Sequence, residues 1–317
     1  MEIFNKVRVF GDIDNLSFNK PVVTMGVFDG LHLGHRRLLR SVLEKARETG
    51  GESVVLTFWP HPRIVLGKAG DDLRLLSTLE EKKYLLKRWG LENLIIVPFT
   101  REFAGISGRD FVREVLIGRI GMKHFVIGDD HRFGSDRSGG RELLEEMSGA
   151  MGFSFTSLGS ELIGGSRISS SQVRKYLNSG ELDKANQLLG FNYFMFGKVV
   201  PGNRLGRTIG FPTANIQCCV DNKQVPEEGV YAVEVEFNSS IYGGMLNIGI
   251  RPTVDNTRRK SIEVHIFELK SDLYGKKLKV SFLHRLRDEM RFNSTDELRA
   301  QLIKDKARAI SMLRPVK

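Results

Sequence analysis

Gly26-Val27-Phe28-Asp29-Gly30-Leu31-His32-Leu33-Gly34-His35 follows the apolar run Pro21-Val22-Val23-Thr24-Met25 and precedes Arg36-Arg37-Leu38-Leu39. A continuous apolar run closed by Gly and Asp-Gly, with apolar residues then recurring at helical spacing, predicts a buried strand, a tight turn and a helix. His32 and His35 then fall on the first turn of that helix, where N–H groups are unpaired and the dipole favours anions. Three residues apart, their imidazoles project from the same side, and Gly34 leaves the backbone open to close approach. Phosphate is the natural ligand of such a terminus. The same residues also suit a purely structural turn with two partly buried histidines. A metal site would need a third ligand, and no Cys, His or carboxylate cluster offers one at a familiar spacing.

Helical periodicity from about Leu31 to Glu48 ends at Thr49-Gly50-Gly51, and Ser53 to Phe58 is the next buried strand, completing a parallel crossover unit. Upstream, Val7 to Phe10 reads as a short edge strand. A helix over 78–89 with a Thr78 cap, a strand over 93–99, a helix over 109–117 and a strand over 123–127 continue the alternation. The pattern predicts an α/β domain around a parallel sheet. Open sheets of this kind bind ligands at the carboxyl ends of their strands. Two loops leave such ends: Trp59-Pro60-His61-Pro62-Arg63 and Gly128-Asp129-Asp130-His131-Arg132-Phe133-Gly134. From the residues alone the first is a rigid loop, and the second either holds a ribose or adenine edge or caps the next helix. A third stretch, Gly165 to Arg174, opens a helix with serines that include Ser169 and Ser170, and Arg174 lies one turn in.

Gly26 to His35 resembles the signature of the nucleotidyltransferases that share an ancestral core with class I aminoacyl-tRNA synthetases, and most closely that of bacterial FAD synthetases. Thr57 to Pro62 is similar to that family's Thr-Phe-x-Pro-His-Pro, and Ile168 to Arg174 to its Ile-Ser-Ser-Ser/Thr-x-x-Arg. Gly128 to Gly134 is similar to Gly-x-Asp-Phe-Arg-Phe-Gly, with His131 standing where a Phe is usual. The resemblance implies a Rossmann-like nucleotidyltransferase domain. It places Gly26, Phe28, Asp29, Gly34, Ser169, Ser170 and Arg174 around ATP, and His61, Pro62, Asp130, Arg132 and Phe133 around nucleotide and flavin. His32 and His35 would stabilise the reacting phosphoryl group.

After a last helix over 181–190 the periodicity changes to strands, over 194–200, 230–237, 242–248, 261–269 and 277–282, before a closing helix over 294–313. Short strands separated by polar turns predict a small antiparallel barrel. Gly202-Asn203-Arg204-Leu205-Gly206-Arg207-Thr208-Ile209-Gly210 would make a basic loop over phosphates, though it lacks the ending of a Walker A loop. Thr213 and Asn215 face one way in an extended segment, as two neutral oxygen donors for Mg²⁺ or as structural turn residues. Alternation over 261–269 puts Glu263 and His265 on one face and Ile262, Val264 and Ile266 on the other. Gly206 to Asn215 resembles the Gly-Arg-x-x-Gly-Phe-Pro-Thr-Ala-Asn motif of riboflavin kinases; Gly229 to Tyr231, Asn247 to Thr253 and Asp272 to Gly275 match in order. This implies ATP held by Gly202, Gly206, Arg207 and Gly210, Mg²⁺ on Thr213 and Asn215, Glu263 as catalytic base, and Arg287 and Arg291 near the flavin.

The expected division is 1–186 and 187–317, and the formal charge of +10 is shared as +3 and +7. Such an excess suits anionic ligands, nucleotides or nucleic acid, without choosing between them. No apolar run approaches a membrane span, and the first residues open no signal peptide, so the cytoplasm is expected. Cys218 and Cys219, adjacent, read as reduced thiols. Taken whole, the sequence resembles the bifunctional bacterial riboflavin kinase/FMN adenylyltransferases, which implies riboflavin, FMN and ATP as substrates; a monomer or weak homo-oligomer is expected. An RNA-directed enzyme is the rival reading, but no interleaved aromatic and basic motif supports it. A flavin-binding protein with one decayed half is the other.

Overall fold

The computed structural model describes residues 7–67, 73–159, 162–163, 166–202, 205–251 and 259–313. Gly165, Asn203, Arg204, Pro252 and Thr253, all within the quoted motifs, lie outside the described residues. The chain forms two compact units, Met1–Ser170 and Ser171–Lys317.

In the first unit β1 (Arg8–Phe10), β2 (Val22–Met25), α1 (Leu33–Thr49), β3 (Ser53–Trp59), α2 (Pro62–Val65), α3 (Leu79–Arg88) and β4 (Asn93–Pro98) follow in order. Next come α4 (Arg101–Ala104), α5 (Gly108–Asp110), a π-helical run Phe111–Arg119, β5 (His124–Gly128), α6 (Arg141–Met151), β6 (Ser154–Leu158) and a hairpin of β7 (Leu162–Ile163) and β8 (Ser166–Arg167). The sheet order is β1-β4-β3-β2-β5-β6, and every pair is parallel. The chain leaves β2 toward β3 on one side, while β5 lies on the other, so the strand order reverses between β2 and β5. A crevice opens at such a point, at the carboxyl ends of the strands.

The central strands are mainly apolar, with a few buried polar residues such as Thr24 and Thr57, because both their faces are covered. Val54, Leu56, Ile95, Phe125 and Ile127 pack against Phe111, Val112, Val115 and Leu116 of the π-helical run. The predicted helix over 109–117 thus forms, with wider hydrogen bonding over its second part. Helix α1 buries Leu39, Val42 and Ala46, a stripe at helical spacing, and ends at Gly50, whose φ of 62° suits glycine. Thr78 and Glu81 close α3 with a reciprocal capping box. Neither α6 nor β6 is among the elements expected from the sequence; β6 reads Ser-Phe-Thr-Ser-Leu and holds no fully buried residue, so its apolar signal is weak.

The second unit contains α7 (Ser170–Asn178) beyond Ser170, α8 (Leu182–Leu189), β9 (Phe194–Val200), α9 (Leu205–Thr208), β10 (Ala214–Cys218), β11 (Gly229–Phe237), β12 (Ser240–Arg251), β13 (Arg259–Ile266), β14 (Lys277–Arg287) and α10 (Thr295–Met312). Six antiparallel strands close in the order β10-β13-β12-β11-β14-β9, and closure leaves no sheet edge. The expected barrel named five strands; β10 is the sixth. Helices α7 and α8 hydrogen-bond to this unit, Gln224 Nε2 donating to Asn178 Oδ1 at 2.7 Å and Asn186 Nδ2 to the Phe282 carbonyl at 3.0 Å. Helix α10, capped by Ser294, covers an apolar patch that includes Phe211, Val230, Met245 and Phe267. No helix among the described residues is long and apolar enough to cross a membrane.

Candidate active sites

The loop after β2 is held from below. Phe28 and Leu31 are buried at positive φ, 49° and 47°, conformations that cost energy in a non-glycine residue and persist only when packing over-determines them. Gly30 has φ 81°, and a Cβ there would lie 2.7 Å from Leu76 Cδ1. The buried Asp29 carboxylate accepts from Leu76 N at 3.2 Å and Ser77 N at 3.0 Å, while Gly30 N donates to Ser77 Oγ at 2.7 Å. Lys82, itself buried, donates to the Val27 carbonyl at 2.7 Å, and Ser170 Oγ donates to the Asp29 carbonyl at 2.8 Å. Phe28 and Asp29 therefore shape the turn.

This support presents His32 as the N-cap of α1, one position before the helix, and His35 inside the first turn. His32 Nδ1 accepts from His35 N at 3.4 Å, so a neutral His32 carries its proton on Nε2. The two rings stack, 3.7 Å between centroids and 15° between planes, and Phe28 meets His35 edge-on. Burial lowers the His32 pKa to about 4 and holds His35 well below its usual value, with His32 and Lys82 adding to the effect on His35. Both are neutral donors at physiological pH.

They line a cavity of about 270 Å³ in the crevice between the ends of β2 and β5. Of the residues proposed from sequence, Gly34, Asp130, Ser169 and Ser170 join them there, together with Arg37, His131 and Arg167. Burial would raise the Asp130 carboxyl, but its ion pair with Arg167 more than offsets this and keeps it below its usual range. His61 and Pro62 are not among the lining residues: His61 is buried and caps α2, accepting from Arg63 N at 3.1 Å. Arg132 folds back onto the carbonyls of Asp129 and His131, and Phe133 packs against Phe111 and Phe125. Gly26 donates its N–H to the Leu56 carbonyl at 3.0 Å, behind Phe28. Arg174 lies on α7 in the other compact unit. Arg37 is the residue sequence reasoning missed most plainly. It follows Gly34 by three positions on α1, and its Nη1 donates to the Gly159 carbonyl at 3.3 Å.

The second site is built by strand register. On the barrel face that carries Glu263, Asn215 of β10 pairs with it on one side and Asn247 of β12 on the other. Thr213 Oγ1 donates to Glu263 Oε2 at 3.3 Å, and Asn215 is register-paired with Glu263, so the structure brings the three residues together. His265, on the same face, is not solvated: it is buried, and its Nδ1–H donates to the Pro212 carbonyl at 2.8 Å, fixing the chain just before Thr213. Gly202 lies against the Asn215 side chain, and Gly206 accepts from Phe211 N at 2.7 Å, closing the turn around α9.

A cavity of about 270 Å³ opens over this face. Gly206, Thr213, Asn247, Glu263 and Glu289 form its polar side, and Phe211, Met245, Met290, Phe292 and Leu302 its apolar side. A flat aromatic ring with a polar tail fits this division. Arg287 also lines it, but it is mainly a strut: its Nε and Nη2 fork onto the buried Asp305 of α10 at 2.8–3.1 Å. Arg207, Gly210 and Arg291 are exposed and are not among the lining residues.

Comparison with known proteins follows the same two-part division. The FAD synthetase family model matches residues 15–172 and the riboflavin kinase model residues 189–313. The bifunctional riboflavin kinase/FMN adenylyltransferase of Bacillus subtilis (strain 168) is 38% identical over 295 residues, 92% of each chain. That of Escherichia coli (strain K12) is 39% identical over 290 residues, 91% of each. A crystal structure described as a macrolide-efflux protein from Streptococcus pneumoniae superposes with a TM-score of 0.87 at 32% identity, covering 96% of this chain and 99% of that one.

Proposed function

The chain belongs to the bifunctional riboflavin kinase/FMN adenylyltransferases, and on that premise we propose how its residues divide the chemistry, with the functional boundary between 186 and 187. The enzyme phosphorylates riboflavin to FMN with ATP and then adenylylates FMN with a second ATP, giving FAD and pyrophosphate. The first reaction belongs to the barrel and the second to the α/β domain.

In the barrel Glu263 takes the proton from the riboflavin primary hydroxyl as its oxygen attacks the γ-phosphorus of ATP. The observation that carries this reading is the juxtaposition of Thr213 and Asn215, at the start of β10, with Glu263 on β13. Two neutral side-chain oxygens beside a carboxylate suit Mg²⁺, a hard cation that takes few protein ligands and keeps waters and phosphates. When bound, Mg²⁺ would neutralise charge on the ATP phosphates. Gly202, Gly206, Arg207 and Gly210 belong to the loop over ATP, and the apolar side of the cavity takes the flavin ring.

In the α/β domain the attacking FMN phosphate oxygen is already ionised, so positioning and charge stabilisation suffice. His32 and His35 donate to the phosphoryl group in transfer; Ser169 and Ser170 hold the departing pyrophosphate. Asp130 takes the nucleoside end. The protein works as a monomer or weak homo-oligomer in the cytoplasm.

The test is to incubate the chain with riboflavin, ATP and Mg²⁺ and follow FMN and FAD by chromatography. Glu263→Gln should abolish FMN formation yet still convert supplied FMN to FAD; His32→Ala with His35→Ala should do the reverse. Loss of both products in either variant would break the assignment of two independent sites.

A further inference from the structure

His131 has no part in the chemistry above, although it lines the adenylylation cavity with His32 and His35. Its ring is half-buried, and its Nδ1 is sealed from solvent with no hydrogen-bond partner among the described residues. A neutral imidazole carries one N–H, and a sealed donor without an acceptor is costly, so the proton belongs on Nε2. The ring edge left open to the cavity is then a donor edge. Burial lowers the His131 pKa; Asp130 acts against this and Arg167 with it. The Asp130 carboxylate next to the ring is tied up by Arg167, so it does not repel an incoming anion as a free carboxylate would. Arg167 in turn leads directly into Ser169 and Ser170.

We propose that His131 is a third imidazole donor in this cavity, its Nε2–H binding the pyrophosphate that leaves during adenylyl transfer. The assignment rests on the adenylyltransferase reading and adds a substrate contact to it. The position does not demand a donor for packing, since its neighbour Phe133 fills the core beneath the loop.

The experiment compares His131→Phe, which keeps a flat ring and removes the donor, with His131→Asn, which restores an N–H. FMN adenylylation by the wild-type chain is measured first; without it the underlying reading fails, independently of His131. Loss of one hydrogen bond to a charged group predicts a rise of roughly tenfold or more in KM for ATP in His131→Phe, with partial recovery in His131→Asn. In the reverse reaction, with FAD and inorganic pyrophosphate, KM for pyrophosphate should rise in parallel, while kcat at saturation and riboflavin phosphorylation hold. Unchanged KM in His131→Phe would make the ring a filler. Equal impairment in both variants would mean that shape matters and not the donor. A rise for ATP without one for pyrophosphate would put the ring on the adenosine end, and collapse of kcat in both would make its role structural; each of these overturns the proposal.

Discussion

Replacing Gly202 with alanine crowds Asn215, one of the two residues proposed to hold Mg²⁺, without changing Asn215 itself. A Cβ on Gly202 would lie 1.9 Å from Asn215 Nδ2, 2.5 Å from Cγ and 2.9 Å from Oδ1. Non-bonded heavy atoms want roughly 3.5 Å, so the whole carboxamide must retreat by about 1.5 Å. Asn215 is buried, and its backbone is fixed by Val200 on β9 and Glu263 on β13, so the side chain has to rotate. Overpacking of this kind costs about 1–3 kcal/mol, a fall of several degrees in Tm that leaves the fold intact. Function should suffer more, because a misplacement of about 1 Å at a reacting centre can cost on the order of 100-fold. Gly202→Ala should therefore form FMN about 100-fold more slowly and require more Mg²⁺, yet adenylylate supplied FMN at the wild-type rate. Chromatographic separation of the flavins, with Mg²⁺ titrated, gives both rates. A folded variant with wild-type FMN formation and Mg²⁺ dependence would refute the role of Asn215.

The buried neutral His32 makes the first unit acid-sensitive. Its folded pKa, about 4, lies below the unfolded 6.5, so the unfolded chain binds more protons between these values, and stability is full above pH 6.5 and falls as pH drops toward 4. The loss from His32 alone is about 3 kcal/mol, and urea midpoints at pH 7 and pH 5 should differ less in His32→Asn than in the wild type, with buried His35 still contributing to what remains. Asp305→Asn leaves the Arg287 charge partly buried without its carboxylate, which should cost about 3–5 kcal/mol in thermal unfolding of the barrel unit, while Arg287→Met with Asp305→Leu restores most of it. Lys82→Met leaves the Val27 carbonyl only its longer bond from Thr57 Oγ1 at 3.3 Å and removes a cation near Asp29. Adenylylation should fall severalfold while riboflavin phosphorylation is unchanged, and equal loss of both would contradict the separation of the sites.

The parallel sheet was legible because its central strands are unbroken apolar runs between helices with strong stops, such as Gly50 after α1. The barrel was legible from alternation, as at Glu263 and Val264 on β13. Short range also carried the convergence of Thr213 and Asn215, since two residues two apart on a strand share a face whatever the rest of the chain does. What stayed hidden depends on long-range pairing. That Glu263 stands between Asn215 and Asn247 follows from the register of three strands, which no local pattern reports. Likewise Asp29, read as a phosphate neighbour, spends its carboxylate on the backbone of Leu76 and Ser77, nearly fifty residues away. Arg287 is similar: its position suggests the flavin, but its guanidinium is committed to Asp305 on α10.

On the proposed assignment, the two cavities answer opposite demands of their two acceptors. Riboflavin brings a hydroxyl that must lose a proton, and the barrel supplies a carboxylate whose neighbours on both strands are neutral amides. FMN brings an oxygen with no proton to lose, and the α/β domain supplies imidazoles that burial holds neutral. Permanent charges such as those of Arg37 and Arg167 in the same cavity would bind ATP and the transition state almost alike, and uniform binding lowers KM without accelerating the chemical step. Neutral N–H donors in a half-closed cavity interact weakly with a spread charge and more strongly with one that concentrates, because the low local dielectric amplifies the difference. Burial of His32 and His35, which costs stability on the acid side, is thus the same property that would make them selective for the transition state under the proposed mechanism.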